Sequence, residues 1–389
     1  MTKVQIRPIS SHKLEEYLAI PDLSLDPADG ERAHAINLVY GKMRVALEEL
    51  WPETEVRVIK RSPIVSKEDC YDNLLVPKDN VSRSSTYTHY IDEGHCLQTH
   101  TTAQIPGVLR ELSLTYEDWE DVTILVPSLA YRRDVYDKTH LGVLHQMDIW
   151  RIVKNKSRIE GQLKKTDLLE MVETIAAELA PDWVLRIEDN PHPYTNRGIE
   201  VNVTHPDPAD GRDIEVLECG LLGTEIIKLN GMDPEEVSGL AAGPGLDRLV
   251  MTLKNIPDIR YLRSDNPRII AQMYDLEEYR AVSLQPAISR DMSYCVPEDY
   301  VEEDISQEVE AAIGDDLNSL ESVELLQETE HSKLNTIARQ KLGIKLKQKN
   351  VLVRITLRNL NRSITKEEAN QIYSRIYSKV NYGSGGYLE

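Results

Sequence analysis

The segment Ala130 to Trp150, AYRRDVYDKTHLGVLHQMDIW, reads as a strand, a polar loop and a returning strand in which His145 and Met147 alternate with Gln146 and Asp148. Doubling back through such a loop favours an antiparallel pair. The strand-like runs around it, EVRVIKR, TILVPS and EIIKLN, are separated by hairpin-length polar loops rather than regular helical crossovers. That spacing predicts an α+β fold, an antiparallel sheet with flanking helices. The strongest helical pattern is KTDLLEMVETIAAEL, with Thr166 or Asp167 as its cap. In the first fifty residues, AHAINLVYGKMRVALEELW repeats apolar residues at helical spacing and reads as a lead-in layer packed on the sheet C-terminal to it.

At 389 residues the chain is long enough for two domains. The boundary is placed near YRAVSLQPAIS, giving residues 1–285 and 286–389. Beyond it the order is strand, helix, strand, strand, helix, which predicts a split βαβ, ferredoxin-like domain. Its last helix opens with Thr365 and Glu368 at capping-box spacing. The tail GSGGYLE is read as a short edge strand or a disordered end.

No run approaches the roughly 20 apolar residues of a membrane span. The N-terminus has neither a signal-peptide core nor an Arg-rich, acid-poor pattern, so a cytosolic protein without a membrane partner is expected. Cys70, Cys96, Cys219 and Cys295 lack metal-ligand spacing and are read as reduced thiols. A net charge of -20 argues against nucleic acid as a partner of the chain as a whole. Locally the balance differs: Glu298 to Glu330 holds 13 acidic residues and no Lys or Arg, whereas Ser332 to Val380 holds 12 Lys and Arg against Glu367 and Glu368. A lone charge run is ordinarily a solvated face; two opposite runs within one small domain also suit phosphate contacts. One residue type is missing, with Phe 0 beside Tyr 18; average composition would supply on the order of a dozen or more phenylalanines.

Three stretches carry residues suited to chemistry. In AAGPGLDRLVM, Gly243 and Gly245 permit close backbone approach at a helix entry, and Arg248 on the first turn is placed to hold a phosphate. Arg132 and Asp134 open the polar loop after the first strand of the hairpin, a good arrangement for a nucleotide, with Arg on phosphate and the carboxylate on an adenine amino group. Upstream, His100, Thr101 and Thr102 precede a helix. Taken singly, these are a tight packing turn, a surface hairpin with ion pairs worth under about 1 kcal/mol each, and a helix cap.

Taken in order, the segments YDNLLVPKDNVSR, THTTA, YRRDVYDKTHLGVLHQ, GPGLDRLVMTLKNIPDIRYLRSDNPR and ITLRNLNRSITKEEANQIY resemble the class II aminoacyl-tRNA synthetases. The resemblance is specifically to phenylalanyl-tRNA synthetases of the single-chain, mitochondrial type. It implies a class II antiparallel sheet with flanking helices followed by a ferredoxin-fold anticodon-binding domain. It also implies ATP and Mg²⁺ as cofactors, without assigning ligands to the metal, and tRNA-Phe as a partner through the C-terminal domain. On this likeness Arg132 contacts the α-phosphate and Arg248 the γ-phosphate, while Asp134 reads adenine, His140 lies near the phosphates and Gly243 and Gly245 line the ATP site. His100, Thr102, Gln146 and Asp148 would hold the amino acid's ammonium and carboxylate, with Asp148 where the family usually has the longer Glu. Ala241 would line the pocket. No separate second subunit is required; a monomer is favoured, with a homodimer the alternative.

The chain also departs from that family. His192, Pro193 and Tyr194 stand where two phenylalanine rings flank a proline, Leu144 where a phenylalanine stacks on adenine, Gln98 where arginine is frequent, and Glu218 where glycine is usual. Avoidance of Phe throughout offers an account of Tyr194, Leu144 and also His192, and has a rationale: a synthetase made without phenylalanine could be translated when charged tRNA-Phe runs out. It does not account for Glu218, which keeps a second explanation open, a more polar amino acid as substrate. Two other functions stay open at this point: a ligase transferring its aminoacyl group to a carrier protein or small acceptor, and a silent paralogue binding tRNA or amino acid.

Overall fold

The structure, a computed structural model, describes residues 8–207, 209–282 and 285–386. They form two compact units, one drawn from Met1–Arg132, Val143–Ile256 and Gln272–Tyr279, the other from Arg133–Gly142, Pro257–Ala271 and Arg280–Glu389. The second unit therefore takes up the tip of the Ala130 to Trp150 hairpin as well as the C-terminal stretch.

In the first unit, β1 (Glu55–Val58) is followed by the short pair β2 (Ile64–Ser66) and β3 (His95–Leu97). Then come β4 (Asp121–Tyr131), β5 (Val143–Lys154), β6 (Val184–Asp189), β7 (Thr195–Thr204), β8 (Asp213–Leu222) and β9 (Val237–Gly243). Seven of these make one sheet in the order β1-β4-β5-β9-β8-β7-β6. It is antiparallel except for the edge pair β1 and β4. The long runs β4 and β5 are almost wholly buried, as expected where both faces of central strands are covered. Helices Ala35–Leu50, Lys165–Leu179 and Leu246–Leu253 form the layer on one side. On the other side, helix Ile105–Leu114 packs Ile105, Val108 and Leu109 with Val122, Ile124, Trp150 and Ile152.

Two local expectations fail for physical reasons. EIIKLN is not a strand but part of the helix Thr224–Leu229. Helical spacing buries Ile226 and Ile227 in the core and leaves Glu225 and Lys228 outside as an ion pair at 3.5 Å. Helix Lys165–Leu179 is not capped by Thr166 or by Asp167 in the cap position. Lys164 occupies that position, and Asp167, inside the first turn, accepts from the Lys164 N–H at 2.7 Å.

In the second unit, β10 (Ile288–Pro297), β11 (Leu320–Glu330) and β12 (Gln348–Leu357) form an antiparallel sheet in the order β10-β12-β11. Helices Glu302–Ile313 and Lys366–Val380 pack Val309, Ile313, Ile372, Tyr373 and Ile376 against Met292, Tyr294, Val351 and Val353. Thr365 and Glu368 form the expected reciprocal box, each side chain accepting from the other's N–H, at 3.2 and 2.9 Å. The strand, helix, strand, strand, helix order is observed, with one addition, helix Thr336–Leu342, in the β11 to β12 connection. Of the tail, Gly383 to Gly386 form no strand, and Tyr387 to Glu389 lie outside the described residues.

Candidate active site

Strand alternation puts Leu144, Gln146, Asp148 and Trp150 on one face of β5. Pairing carries that face across the sheet: Trp150 opposes Ala241, and Ala241 opposes Gly220. Two residues on, Gly243 opposes Glu218, and Gln146 bridges to Gly245. Gly243 thus lies between Asp148 and Glu218; a Cβ built on it would sit 3.5 Å from Asp148 Oδ1. The result is a bed of small residues, Ala241, Gly243 and Gly220, with polar groups at both margins. Gly220 accepts no Cβ without movement of the strands, because a Cβ there would stand 2.7 Å from the Thr195 Cβ.

Asp148 is the unusual group. It is 2% exposed, its Oδ2 has no hydrogen-bond partner, and burial pushes its pKa up to about 7 against the opposing pull of neighbouring Thr102, Thr101 and Trp150. A buried carboxylate oxygen without a donor is costly to retain and well suited to a cation brought from outside. Above it, Tyr194 stacks on Trp150 with ring centroids 5.6 Å apart, and His192 stacks on Tyr194 at 6.2 Å. The Tyr194 phenol is pushed up by burial and by the nearby carboxylates of Asp148 and Glu218, with Thr102 acting the other way. His192, Tyr194, Asp148, Thr102 and Glu218 therefore share one environment.

The THTTA stretch enters from the side. It is not a side-chain cap: His100 precedes a 3-10 turn, Thr101–Gln104, without capping it, and Thr101 and Thr102 are buried. The Thr101 N–H donates to Gln146 Oε1 at 3.4 Å, joining this turn to β5. Burial and then the Arg132 charge lower the His100 pKa to about 3, so its imidazole is neutral, and its Nδ1 is a buried atom without a partner. Arg132, which follows β4, is held by its Nε donating to the Thr99 carbonyl at 2.7 Å. That contact leaves the rest of the guanidinium for a ligand.

Gly245 opens helix Leu246–Leu253, and Arg248 in its first turn pairs with Glu215 Oε2 at 3.0 Å. Burial, then Glu218, raise the Glu215 pKa, with Arg248 opposing. Gly243 and Gly245 are not in the left-handed region, and no close contact forbids a Cβ on either; their lack of side chains leaves open surface rather than relieving strain. The helix is anchored by the residue before Arg248. Asp247 accepts from the His145 backbone N–H and sits 3.0 Å from His145 Nδ1, while His145 Nε2 accepts from the Leu23 N–H at 3.0 Å.

Asp134 and His140 belong to the second unit, on the loop 133–142. There Asp134 accepts from the Val135 N–H at 2.9 Å. Asp137, despite the upward pull of burial, is held down at about 2 by hydrogen bonds with His140 and Thr139. Leu144 lies half-buried at the loop end of β5.

Sequence reasoning missed Glu215, Asn190 and the Asp247–His145 anchor. Glu215 was hidden because β8 carries a bulge near Val216, so alternation counted from Glu218 puts it on the wrong face. Asn190 precedes the HPY stretch, and its Nδ2 donates to Glu218 Oε1 at 2.9 Å and to Glu200 Oε2 at 3.2 Å.

A family model for the class II core domain of tRNA synthetases (F) matches residues 25–273. The chain is 30% identical over 327 residues to the chloroplastic/mitochondrial phenylalanine–tRNA ligase of Arabidopsis thaliana, covering 82% of this chain and 70% of that one. It is 28% identical over 371 residues to a probable mitochondrial phenylalanine–tRNA ligase of Drosophila melanogaster, covering 82% and 75%. Among solved structures, a pyrrolysyl-tRNA synthetase from Desulfitobacterium hafniense is similar at a TM-score of 0.45 and 14% identity, over 66% of this chain and 78% of that chain. The sheet, the Gly-rich entry to the Arg248 helix and the extent of the family match place the fold and the enzyme class together: this chain belongs to the class II tRNA synthetases (F).

Proposed function

We propose that the protein activates phenylalanine, or a related aromatic amino acid, with ATP and transfers it to tRNA. The observation that carries the reading is Asp148, a buried carboxylate with an unpartnered oxygen on the bed of Ala241 and Gly243. Its chemistry suits an amino acid's ammonium, with Gln146, Thr102 and the neutral His100 as hydrogen-bonding neighbours. Tyr194, His192 and Ala241 suit an aromatic side chain.

Activation needs no general base, because the amino acid's carboxylate is already a nucleophile toward the α-phosphorus. The residues' task is to align that carboxylate with the departing pyrophosphate and to offset developing negative charge. Arg132 is assigned to the α-phosphate and Arg248, exchanging Glu215 for substrate, to the γ-phosphate. Leu144, Gly243 and Gly245 line the nucleotide's path, and Asp134 and His140 are assigned to adenine and phosphate from the loop 133–142.

The class II family uses Mg²⁺ with ATP. Here Glu215, beside Arg248, offers carboxylate oxygens, and burial, then the neighbouring Glu218 charge, raise its pKa. One or two carboxylates plus substrate phosphates are a donor set that fits Mg²⁺. When bound, the ion would neutralise polyphosphate charge.

For the second step, the C-terminal unit is proposed to contact tRNA-Phe. The chain is taken to work in the cytosol as a monomer, with a homodimer the alternative; the two relatives compared above carry organellar locations in their names. No helix among the described residues is long and apolar enough to cross a membrane.

Amino-acid-dependent ATP–pyrophosphate exchange, followed by charging of tRNA-Phe, tests the reading. Exchange and charging are expected with an aromatic amino acid. Exchange without charging would favour the carrier-protein ligase, and no exchange with any amino acid the silent paralogue.

A further inference from the structure

The missing phenylalanines account for an aromatic replacement such as Tyr194. They do not account for the charged group beside it. Glu218 is anchored through one oxygen: Oε1 accepts from Asn190 Nδ2 at 2.9 Å, and the same amide reaches Glu200. Its other oxygen, Oε2, lies 3.7 Å from His192 Nε2, too far for a hydrogen bond between them. His192 Nε2 is buried and has no hydrogen-bond partner. The loop that carries His192 is pressed onto β7, since a Cβ at Gly198 would stand 2.3 Å from the Asn190 carbonyl and 3.0 Å from the His192 ring. A carboxylate oxygen and an imidazole nitrogen are thus held side by side at a spacing that one inserted hydroxyl or amino group could bridge, donating to the first and accepting from the second.

The position of this pair relative to Asp148 matters. Asp148, Gly243 and Glu218 lie in line across β5, β9 and β8. Two strand spacings separate Asp148 from Glu218, about 10 Å, comparable to the reach of an aromatic amino acid with a ring substituent. A substrate whose ammonium meets Asp148 and whose ring crosses Ala241 and Gly243 therefore ends at Glu218 and His192.

We propose that Glu218 and His192, with Asn190 as the positioning residue, recognise a hydroxyl or amino substituent on the ring of the amino acid substrate. This deepens the proposed function and rests on it. An unsubstituted phenyl ring would leave His192 Nε2 unpaired and strip water from Glu218 without replacement. Sites that bond a substrate hydroxyl reject the analogue lacking it by as much as about 10⁴ to 10⁵. Glu218 is 41% exposed, so the preference expected is smaller, at least about tenfold.

The test is ATP–pyrophosphate exchange by the full chain with phenylalanine, 4-methylphenylalanine, tyrosine, 3-hydroxyphenylalanine and 4-aminophenylalanine, read as kcat/KM. A hydroxyl- or amino-bearing member is expected to exceed both phenylalanine and the methyl analogue about tenfold or more. Glu218→Gly and His192→Leu are each expected to bring that ratio to near one. Phenylalanine or the methyl analogue serving as well as every polar member, in the unaltered enzyme, would overturn the proposal. So would a ratio that survives Glu218→Gly. Absence of exchange with the whole panel is a different result, which removes the parent reading and this inference with it.

Discussion

Asp148 sits where an ionised carboxylate has almost no solvent and, on one oxygen, no donor. Its pKa rises from 3.8 to about 7 on folding, and the sign of the consequence is fixed. A group bound more tightly to its proton in the folded state stabilises fully below about pH 4 and loses that contribution as pH rises through about 7. Asp148→Asn, neutral at every pH, is therefore expected to raise stability at pH 8, by at most about 4 kcal/mol, with the gain vanishing near pH 4. Thermal unfolding across pH measures this. The same substitution is expected to abolish amino acid activation. In the unaltered enzyme, kcat/KM for the amino acid should fall with a slope of one below about pH 7, since a protonated Asp148 cannot pair with an ammonium. Tyr294 is the counterpart without a function. It is 1% exposed in the core of the second unit, and its hydroxyl has no hydrogen-bond partner. Tyr294→Phe is expected to stabilise the protein by about 1 kcal/mol, read as a higher unfolding midpoint.

Among the elements, β5 was the most legible, because Gln146 and Asp148 reach the site by plain alternation from one strand. The register that joins them to Gly243 and Glu218 was not legible, since no local pattern says which strand neighbours β5; that information is spread over pairings with β9 and β8. The bulge in β8 concealed Glu215, and the stretch 225–230, with Ile226, Ile227 and Leu229 too short a pattern to separate the two periods, was read as a strand where the chain forms a helix. The cap at Thr365 and Glu368 was legible because both residue types are the usual ones at capping-box spacing, whereas Lys164 in the cap position of the earlier helix carries no such signal. Close packing between β7 and β8 gives an element-level prediction. In Gly220→Ala the new methyl meets Thr195, next to Tyr194, and the strands must move apart. A loss of about 1–3 kcal/mol, together with a raised KM for the amino acid, is expected in unfolding and exchange assays.

At the scale of the whole molecule, the opposed charge runs of the second unit are partly spent on each other. Lys349 pairs with Glu328 at 2.7 Å and Lys333 with Glu330 at 3.0 Å, while Arg358 pairs with Glu321 and Arg375 with Asp316. Lys341, Lys345 and Lys347 stay exposed around helix Thr336–Leu342, the segment that sequence pattern missed. If the unit contacts tRNA there, replacing these three by Glu should reduce charging by at least tenfold and leave pyrophosphate exchange unchanged. Charging should also weaken steeply with salt, each lost phosphate contact lowering the logarithmic slope by roughly 0.7–0.9. The orphaned hydroxyl of Tyr294 belongs to this scale as well. A core position that would be better served by phenylalanine holds tyrosine, in a chain with no phenylalanine anywhere. Under the proposed activity, no codon for these 389 residues is read by the tRNA the enzyme loads. Its rate of manufacture is then uncoupled from its output in both directions: an empty pool cannot stall its ribosomes, and an analogue placed on that tRNA cannot enter its own fold.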